Sequence, residues 1–385
     1  MASPKLRFKA FDGDWRSVSL LEISTLITKG TTPKQFIDGN INFLKIEAIT
    51  QNGFELSKCQ TISEEINNKE LKRSILMEGD ILFAIAGATI GKNAIVQKEL
   101  LPANTNQALA IIRLKENYSK VFISKVLNSP LMEKYIDINI STGAQPNLNL
   151  QQIGSFSFTL PNLEEQTKIA SFLSAVDEKI SQLTQKHALL SQYKQGMMQK
   201  LFSQQIRFKA DDGSEFGEWE ETELGKHCQI KTGKLDANAM RPNGEFRFYT
   251  CAKEFYLIDE YAFDTEALLI SGNGANVGYI HYYKGKFNAY QRTYVLDQWQ
   301  QNIIFIQYFL EQFLKERIYG EKKEGNTPYI VLSTLSEMPL LLPCLAEQTK
   351  IANFLSAIDQ KIEVVAQQIE QAKLWKKGLL QQMFV

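Results

Sequence analysis

The stretch EEQTKIASFLSAVDEKI, residues Glu164 to Ile180, recurs late in the chain as AEQTKIANFLSAIDQKI, residues Ala346 to Ile362, displaced by 182 positions. A long repeat at a fixed displacement indicates that one structural unit has been built twice. A chain of 385 residues is also longer than a domain with a single hydrophobic core usually is, so two or more domains are expected. The sequence therefore predicts a module followed by a helix, and then both again.

Weaker similarity extends the repeat into the residues before each helix. The matching segments are LRFKAFDGDW (6–15) with IRFKADDGSEFGEW (206–219), AGATIG (86–91) with NGANVG (273–278), and TGAQPNLNL (142–150) with EGNTPYIVL (324–332). Short apolar runs such as GDILFAIAG and EALLISGNG predict buried strands that end in glycine turns, and 119–139 and 302–320 have helical spacing. Each module is predicted to be an α+β unit with a curved or barrel-like sheet.

The repeated helices carry apolar residues at alternating spacings of four and three. This heptad seam is typical of a coiled coil, and it continues through Lys194 and Lys376 to Leu201 and Met383. Because the first helix leads to the second module, where the second helix begins, the simplest pairing is antiparallel, with a pseudo-two-fold relation and a length of about 57 Å. The predicted seam residues are Ile169, Leu173, Val176, Ile180, Leu183, Ile351, Leu355, Ile358, Ile362 and Val365.

Composition sets limits on function. The formal net charge is zero, and residues 204–343 hold 15 basic and 20 acidic groups. That balance argues against tight binding of nucleic acid by this chain alone, because phosphate contacts supply most of such affinity. No secretion signal or apolar run of about 20 residues occurs, and the four cysteines are scattered, so we expect a cytoplasmic protein with reduced thiols.

Several motifs have simpler explanations than catalysis. AGATIGKN (86–93) lacks the first glycine and the Ser/Thr of a phosphate-binding loop, so we interpret Gly87, Gly91 and their counterparts Gly274 and Gly278 as turn residues. NTPY (326–329) lacks a proline of the amino-methyltransferase loop and is interpreted as a local turn. Three histidines without matching ligands predict neither a metal site nor catalytic residues, and His187 is interpreted as a seam residue.

The pattern LPxLxEQxKIxxFL after each module, the GATIGK-like turn and TGxQPN resemble the specificity subunit of type I restriction–modification enzymes along the whole chain. The resemblance implies target recognition domains at 1–160 and 204–343, and spacer helices at 161–203 and 344–385. Each domain would read one half of a bipartite site in double-stranded DNA, and the helices would fix the gap. The subunit would be non-catalytic and bind no cofactor itself.

The resemblance also implies partners. Two modification (methyltransferase) subunits would dock on the helices and bring the restriction (motor and nuclease) subunits, and S-adenosylmethionine would belong to the methyltransferase. The predicted docking residues open both helices in the same setting: Glu165, Gln166, Lys168, Glu347, Gln348 and Lys350. Two alternatives remain, a coiled-coil scaffold that binds only proteins and, with less support, a self-contained DNA methyltransferase.

The repeat also filters candidates for base reading. Residues shared by both modules, such as Asn104/Asn288 and Gln107/Gln291, cannot distinguish two different half-sites and are assigned to scaffold or backbone contacts. Polar residues that differ between the copies are the candidates, since arginine and lysine suit guanine edges and amides suit adenine. The predicted DNA-binding residues are Lys29, Thr31, Thr32, Lys34, Lys92, Asn93, Lys231, Lys234, Arg241, Arg247, Asn276 and Arg292.

Overall fold

A computed structural model of the chain describes residues 4–50, 53–140, 146–320 and 328–384. The chain forms two compact units: the first comprises Met1–Gln185 with Ala366–Val385, and the second comprises Lys186–Val365. Within the described ranges, no helix is both long enough and apolar enough to cross a membrane.

The first unit begins with strands and short helices in alternation. The elements are β1 (Arg16–Ser19), α1 (Leu20–Ile23), β2 (Ser24–Lys29), β3 (Ile41–Leu44), β4 (Ile49–Thr50), β5 (Gly53–Phe54), β6 (Gln60–Ile62), β7 (Ile81–Ala84), β8 (Asn93–Ile95), β9 (Ala103–Thr105), β10 (Leu109–Leu114), α2 (Lys120–Leu127), α3 (Pro130–Asn139), α4 (Leu150–Ser155), β11 (Ser157–Leu160) and the start of α5 (Leu163–Phe202). Proline at the first position of α3 divides the predicted helical stretch 119–139 in two.

The sheets of the first unit are small and open. One has the order β2-β10-β7-β8, all antiparallel, and its central strands β7 and β10 are almost entirely buried. A second has the order β6-β3-β9, with β3 and β9 parallel. Strand β1 pairs with β11 immediately before α5, from Arg16 opposite Leu160 to Ser19 opposite Ser157.

The second unit repeats this plan with longer elements. They are the end of α5, then β12 (Glu220–Glu223), β13 (Gln229–Thr232), β14 (Phe246–Tyr249), β15 (Tyr256–Ile258), β16 (Phe263–Ser271), β17 (Ile280–Ala289), β18 (Thr293–Asp297), α6 (Ile303–Gly320), α7 (Leu332–Ser336), β19 (Pro339–Leu342) and the start of α8 (Leu345–Met383), whose end belongs to the first unit. Single helical turns occupy 46–48, 56–58, 66–70, 72–74, 98–100, 224–226 and 237–239.

One long strand explains the difference between the sheets. The second unit has a six-stranded sheet of order β13-β18-β16-β17-β14-β15, in which β17 runs for 10 residues and pairs with both β16 and β14. In the first unit the same path is divided between β8 and β9, which produces two sheets. The α+β class of the prediction holds, but the barrel-like closure does not: in the described residues every sheet has free edges.

The helices predicted at 161–203 and 344–385 correspond to α5 (Leu163–Phe202) and α8 (Leu345–Met383). The Asn162 side chain accepts a hydrogen bond of 2.9 Å from the Glu165 amide and so caps α5. Nine of the ten predicted seam residues are buried, and Ile362 is half-buried. Seven of them join the hydrophobic core of their own unit: Ile169 to Ile180 pack with Leu379 and Met383 in the first unit, and Ile351 to Ile358 pack with Met198 and Leu201 in the second.

Candidate nucleic-acid interface

A glycine anchors the loop that follows β2 in the first unit and the loop that follows β13 in the second. Gly30 follows β2, and a Cβ atom there would lie 2.2 Å from the Thr105 carbonyl oxygen; Gly233 follows β13, where a Cβ would lie 1.8 Å from the Ala289 oxygen. No side chain fits at such distances, so only glycine allows this approach of two backbones. The repeat alignment in the sequence missed this pair, although TKG and KTG mark both positions.

Backbone hydrogen bonds hold two further loops beside this anchor. In the first unit Gly30 N donates to Leu109 O (3.1 Å) and Ile85 N to Ala108 O (2.9 Å). The second unit repeats both bonds, from Gly233 N to Thr293 O (3.3 Å) and from Gly272 N to Arg292 O (2.8 Å). We call the resulting surfaces the loop surfaces; they comprise 29–33, 85–91 and 106–108 in the first unit, and 231–235, 272–278 and 290–292 in the second.

The glycines of the AGATIG and NGANVG turns have the backbone conformation that the sequence predicted. Gly87 and Gly91 have φ of 80° and 93°, and Gly274 and Gly278 have φ of 79° and 81°. A Cβ at Gly91 would lie 2.8 Å from the Ile136 Cδ1 atom, and one at Gly278 would lie 2.8 Å from the Ile318 Cδ1 atom. The interpretation of both motifs as turns is confirmed.

Three candidates of the first unit lie on its loop surface. Lys29 and Thr32 are exposed, and Thr31 is partly buried while its amide donates to Thr105 O at 3.0 Å. The Thr32 hydroxyl donates to the side chain of Gln107. Lys29 and Gln107 also line a groove of about 540 Å³ together with Asn147, Asn149 and Gln151. Polar side chains of this kind can donate to and accept from base edges.

The other three candidates of the first unit lie elsewhere. Lys34 is exposed, and its amide donates to Glu70 Oε1 at 2.8 Å. Lys92 and Asn93 line a second groove, of about 720 Å³, formed with α2 and the long helices. Asn93 is only 7% exposed, and its Oδ1 accepts a hydrogen bond of 2.8 Å from the Ser124 hydroxyl. The burial of Asn93 could not be predicted from the sequence, because Asn93 directly follows a turn.

Four candidates of the second unit lie on its loop surface. Lys231, Lys234 and Arg292 are exposed, and Lys231 Nζ is 3.9 Å from Asp297. Asn276 is partly buried, and its Nδ2 donates to Cys251 O at 3.0 Å. Burial raises the pKa of Asp297, so this carboxyl group is harder to ionise than an exposed one, although the nearby Lys231 charge opposes that shift.

Arg241 and Arg247 lie on the adjoining part of the same unit. Arg241 is exposed and is 4.0 Å from Asp259, whereas Arg247, on β14, is partly buried among aromatic rings. The sequence reasoning did not identify these rings as part of a site, although the segments EFYLIDEYAF and YIHYYKGKF are dense in aromatic residues. The most exposed of them are Phe255, Tyr256, Tyr261, Tyr279 and Tyr282.

The shared amides divide into two groups. Asn104 is fully buried and donates to Asn67 Oδ1 (2.9 Å) and Leu71 O (3.1 Å), and Asn288 donates to Glu260 O (3.1 Å), so both hold the scaffold together. Gln107 and Gln291 are exposed on the loop surfaces. Their exposure leaves them available for a ligand, in contrast to the buried asparagines. The shared Gly143 and Gly325, and Asn326 and Thr327 of NTPY, lie outside the described residues.

The predicted docking face requires a correction. Glu165 and Glu347 are fully buried, and Gln166 and Gln348 are 2% and 1% exposed. Arg7 donates to Glu165 at 2.7 and 2.8 Å, and Arg207 donates to Glu347 at 3.1 and 2.7 Å. These bonds raise the pKa of both arginines. The repeated RFKA segment therefore folds over the start of each helix and covers the glutamates.

The two glutamines are used internally in the same way. Gln166 donates to Pro161 O (2.8 Å) and accepts from Ser119 N (3.1 Å), while Gln348 donates to Pro343 O (2.8 Å) and accepts from Asn302 N (3.0 Å). Only Lys168, which is exposed, and Lys350, which is half-exposed and 2.5 Å from Asp211, keep the surface position that docking requires.

The surroundings of the histidines and cysteines bear on metal binding and nucleophilic chemistry in the part of the chain that the structure describes. Across the described ranges, no group of three or more His, Cys, Asp or Glu side chains could hold a metal ion. His227 Nε2 lies 3.1 Å from the Thr222 hydroxyl and its Nδ1 lies 3.1 Å from Gln301 Nε2. Burial, with a smaller effect of Asp297, raises the pKa of Cys228 to about 12, so this thiol stays protonated and is a poor nucleophile near neutral pH.

Comparison with known proteins finds a DNA-specificity family that matches both units. The family described as "Type I restriction modification DNA specificity domain" matches residues 12–192 and 217–374. The EcoDI specificity subunit of Escherichia coli is 39% identical over 155 residues, which is 40% of this chain and 34% of that protein. The putative MjaX specificity subunit of Methanocaldococcus jannaschii is 29% identical over 405 aligned positions, 95% of this chain and 92% of that protein.

A solved structure has the same fold over the whole chain. The type I restriction–modification S subunit of M. genitalium aligns with a TM-score of 0.64 at 18% identity and covers 100% of this chain and 99% of its own. Two matched domains in one chain, each with diverged loops on a shared scaffold, define a protein with a duplicated DNA-specificity module. The chain belongs to the specificity subunits of type I restriction–modification systems.

Proposed function

We propose that this chain is the non-catalytic DNA-recognition subunit of a type I restriction–modification complex, with each unit reading one half of a bipartite site. One observation carries the proposal: the two units present loop surfaces on identical backbone anchors, Gly30 with Thr105 and Gly233 with Ala289, while the loop residues differ. A constant anchor with variable side chains suits the reading of two different sequences.

The readers we favour are the exposed or partly buried candidates on the loop surfaces. In the first unit they are Lys29, Thr31 and Thr32, and in the second Lys231, Lys234, Asn276 and Arg292. Gln107 and Gln291 fit contacts common to both half-sites, such as phosphate or sugar. Lys34, Arg241 and Arg247 stay candidates beside these surfaces. Lys92 also stays one, whereas the burial of Asn93 favours a structural role.

The long helices are proposed to pair in antiparallel direction and to set the gap between the half-sites. Contacts inside each unit support this. In the first unit the beginning of α5 meets the end of α8, as in the 2.6 Å ion pair of Asp177 with Lys376. In the second unit the end of α5 meets the beginning of α8, as in the 2.9 Å ion pair of Lys194 with Asp359.

The proposed partners are double-stranded DNA, two modification subunits and, through them, the restriction subunits, with S-adenosylmethionine held by the modification subunit. DNA in the bacterial or archaeal cytoplasm would be the substrate of that assembly. Lys168 and Lys350 remain from the predicted docking face. Each helix also exposes an aromatic ring at the same repeat position, Tyr193 (51% exposed) and Trp375 (54% exposed). Two equal patches suit a partner that is present in two copies.

The test changes the length of both helices together. Seven residues inserted between 185 and 186 and seven between 365 and 366 keep the heptad phase and lengthen each helix by about 10 Å. The preferred gap in the methylated or bound DNA should then grow by about three base pairs, with both half-sites unchanged. Seven residues inserted in only one helix provide the control, since the paired seam is then out of register.

An unchanged gap in the doubly lengthened complex would contradict the spacer role. Loss of all sequence discrimination in the wild-type complex would instead favour the protein-only scaffold. Methylation of DNA by the isolated chain with S-adenosylmethionine would support the self-contained methyltransferase.

A further inference from the structure

The guanidinium group of Arg247 is held by aromatic side chains. Its Cζ atom lies 4.3 Å from the ring centroid of Phe255 and 4.5 Å from that of Tyr283, and Nη1 donates to the Tyr249 hydroxyl at 3.3 Å. Contacts with ring faces fix the plane of a guanidinium without using its N–H groups, which lie in that plane. Most of the hydrogen-bonding capacity of Arg247 is therefore left for a ligand.

Arg247 also differs from Arg7, Arg113 and Arg207 in having no carboxylate beside it. Arg7 and Arg207 each donate two bonds to a buried glutamate, and Arg113 donates two bonds of 2.8 Å to Asp80. For Arg247, the described part of the chain offers no acidic group within 4.0 Å. A partly buried guanidinium without a carboxylate partner is unusual here, because residues 204–343 hold more acidic than basic groups.

This arrangement is specific to the second unit. The parallel pairs β14–β17 and β3–β9 are equivalent, and Arg247 opposite Phe287 corresponds to Asn42 opposite Ala103. Asn42 uses its side-chain amide internally, donating to Leu100 O at 2.8 Å. At this position the side chain of the first unit bonds within the protein, whereas that of the second unit keeps N–H groups for a ligand. Such a difference fits a contact that discriminates bases in one half-site only.

The Arg247 cluster borders the loop surface of the second unit. Segment 251–255 connects them: Cys251 O accepts from Asn276 (3.0 Å), Ala252 O lies 3.0 Å from His281 Nε2, and Phe255 contacts Arg247. A ligand on the loop surface that extends past this segment would reach the guanidinium edge.

We propose that Arg247 reads a guanine in the half-site recognised by the second unit, by donating two parallel N–H bonds to O6 and N7 in the major groove. This inference rests on the proposed function, because it requires that the second unit reads DNA. A phosphate oxygen is the other acceptor that arginine binds with the same geometry, and the experiment distinguishes the two.

The experiment measures binding and methylation by the complete complex with the Arg247→Lys variant on a library in which every position of both half-sites is varied. Lysine keeps the charge and removes the planar fork. We expect the variant to lose about 10-fold or more on DNA that carries one particular G·C pair in the second half-site, and to lose its preference at that position alone. Arg16→Lys is the matched control, since Arg16 also contacts an aromatic ring, Tyr118, but in the first unit and away from its loop surface.

A phosphate contact would give a different result: a loss of equal size on all sequences, with the salt dependence of binding close to that of the wild type because lysine keeps the charge. That result, or unchanged selectivity, would overturn the assignment. A second variant, Phe255→Leu, keeps Arg247 and loosens it, and should weaken selectivity at the same position. Selectivity at the first half-site is the internal reference: if the wild-type complex selects no bases in either half-site, the proposed function itself fails.

Discussion

Lys376 Nζ lies 2.6 Å from Asp177 Oδ1, and the same pair exists 182 positions away, with Lys194 Nζ lying 2.9 Å from Asp359 Oδ2. Each lysine occupies a seam position that would otherwise be apolar, and each aspartate follows a buried seam residue. In each unit a further helix contacts the aspartate: Lys125 of α2 contacts Asp177, and the Tyr308 hydroxyl of α6 donates to Asp359 at 2.6 Å. Three helices therefore meet at one carboxylate in each unit.

We expect Asp359 and Lys194 to be energetically coupled, because a polar pair in an apolar seam disfavours other registers. In a double-mutant cycle with Asp359→Asn and Lys194→Met, the coupling free energy of unfolding should be about 1 kcal/mol, since both side chains are partly exposed. Urea denaturation measures it. The exposed pair of Glu370 and Lys373 on one helix should show a much smaller coupling free energy. Equal coupling in both cycles would contradict the prediction.

The buried glutamate at the start of each long helix should be important for stability. Glu347 accepts from Arg207 and, at 3.2 Å, from the Trp219 indole N–H. Glu347→Ala should lower the free energy of unfolding of the second unit by about 3 kcal/mol, because two donors lose their acceptor. Glu215→Ala, which removes an exposed pair with Lys209, is the control and should leave the free energy of unfolding nearly unchanged. Similar urea midpoints for the two variants would count against a structural role of Glu347.

Gly233→Ala tests the anchor of the second loop surface. The new methyl group would lie 1.8 Å from the Ala289 carbonyl oxygen, so strand β13 or β17 must move. We expect a loss of about 3 kcal/mol or more in the free energy of unfolding. Hydrogen exchange of the backbone amides of β18 measures this loss. Gly217→Ala has open space and should change stability little. Retention of full protection in Gly233→Ala would show that the close approach is not required.

His281 should make the stability of the second unit depend on pH. Burial lowers the pKa of His281 below the ordinary value of 6.5, and the hydrogen bond to Ala252 O offsets only part of this. Because the unfolded chain binds the proton more readily, the contribution of His281 is complete above about pH 6.5 and is lost as pH falls towards its folded pKa.

His281→Gln keeps a donor for Ala252 and removes the titration. The thermal unfolding temperature of the wild type should therefore fall more steeply than that of the variant between pH 6.5 and 5. The comparison cancels the contribution of Asp297, whose pKa burial raises, since both proteins contain it. Parallel pH profiles would disprove a role for His281.

The periodic features of the structure were predictable from the sequence. The seam from Ile169 to Leu183 and the turn glycines Gly87 and Gly274 are local patterns, in which spacing or residue type alone fixes the backbone or the buried face. The strands β7 and β16 were also predicted, since each is a short apolar run that ends in a glycine turn.

The features that depend on distant contacts were not predictable in the same way. Glu165 and Glu347 were expected on the surface because helix periodicity does not reveal what covers a helix start; Arg7 and Glu165 are 158 positions apart. A usable signal existed, since a repeated arginine and a repeated glutamate of opposite charge occur in both copies. The aromatic cluster around Arg247 joins β14 to β17, which are paired only in the folded sheet.

The close approach at Gly30 and Gly233 depends on main-chain atoms and on the absence of a side chain. The neighbouring side chains of Thr32 and Lys234 are exposed and take no part in that junction, so a substitution at either position leaves the close approach intact. Under the proposed function, such a design would separate the inheritance of the scaffold from the inheritance of its specificity, and new DNA targets would become accessible by a few substitutions.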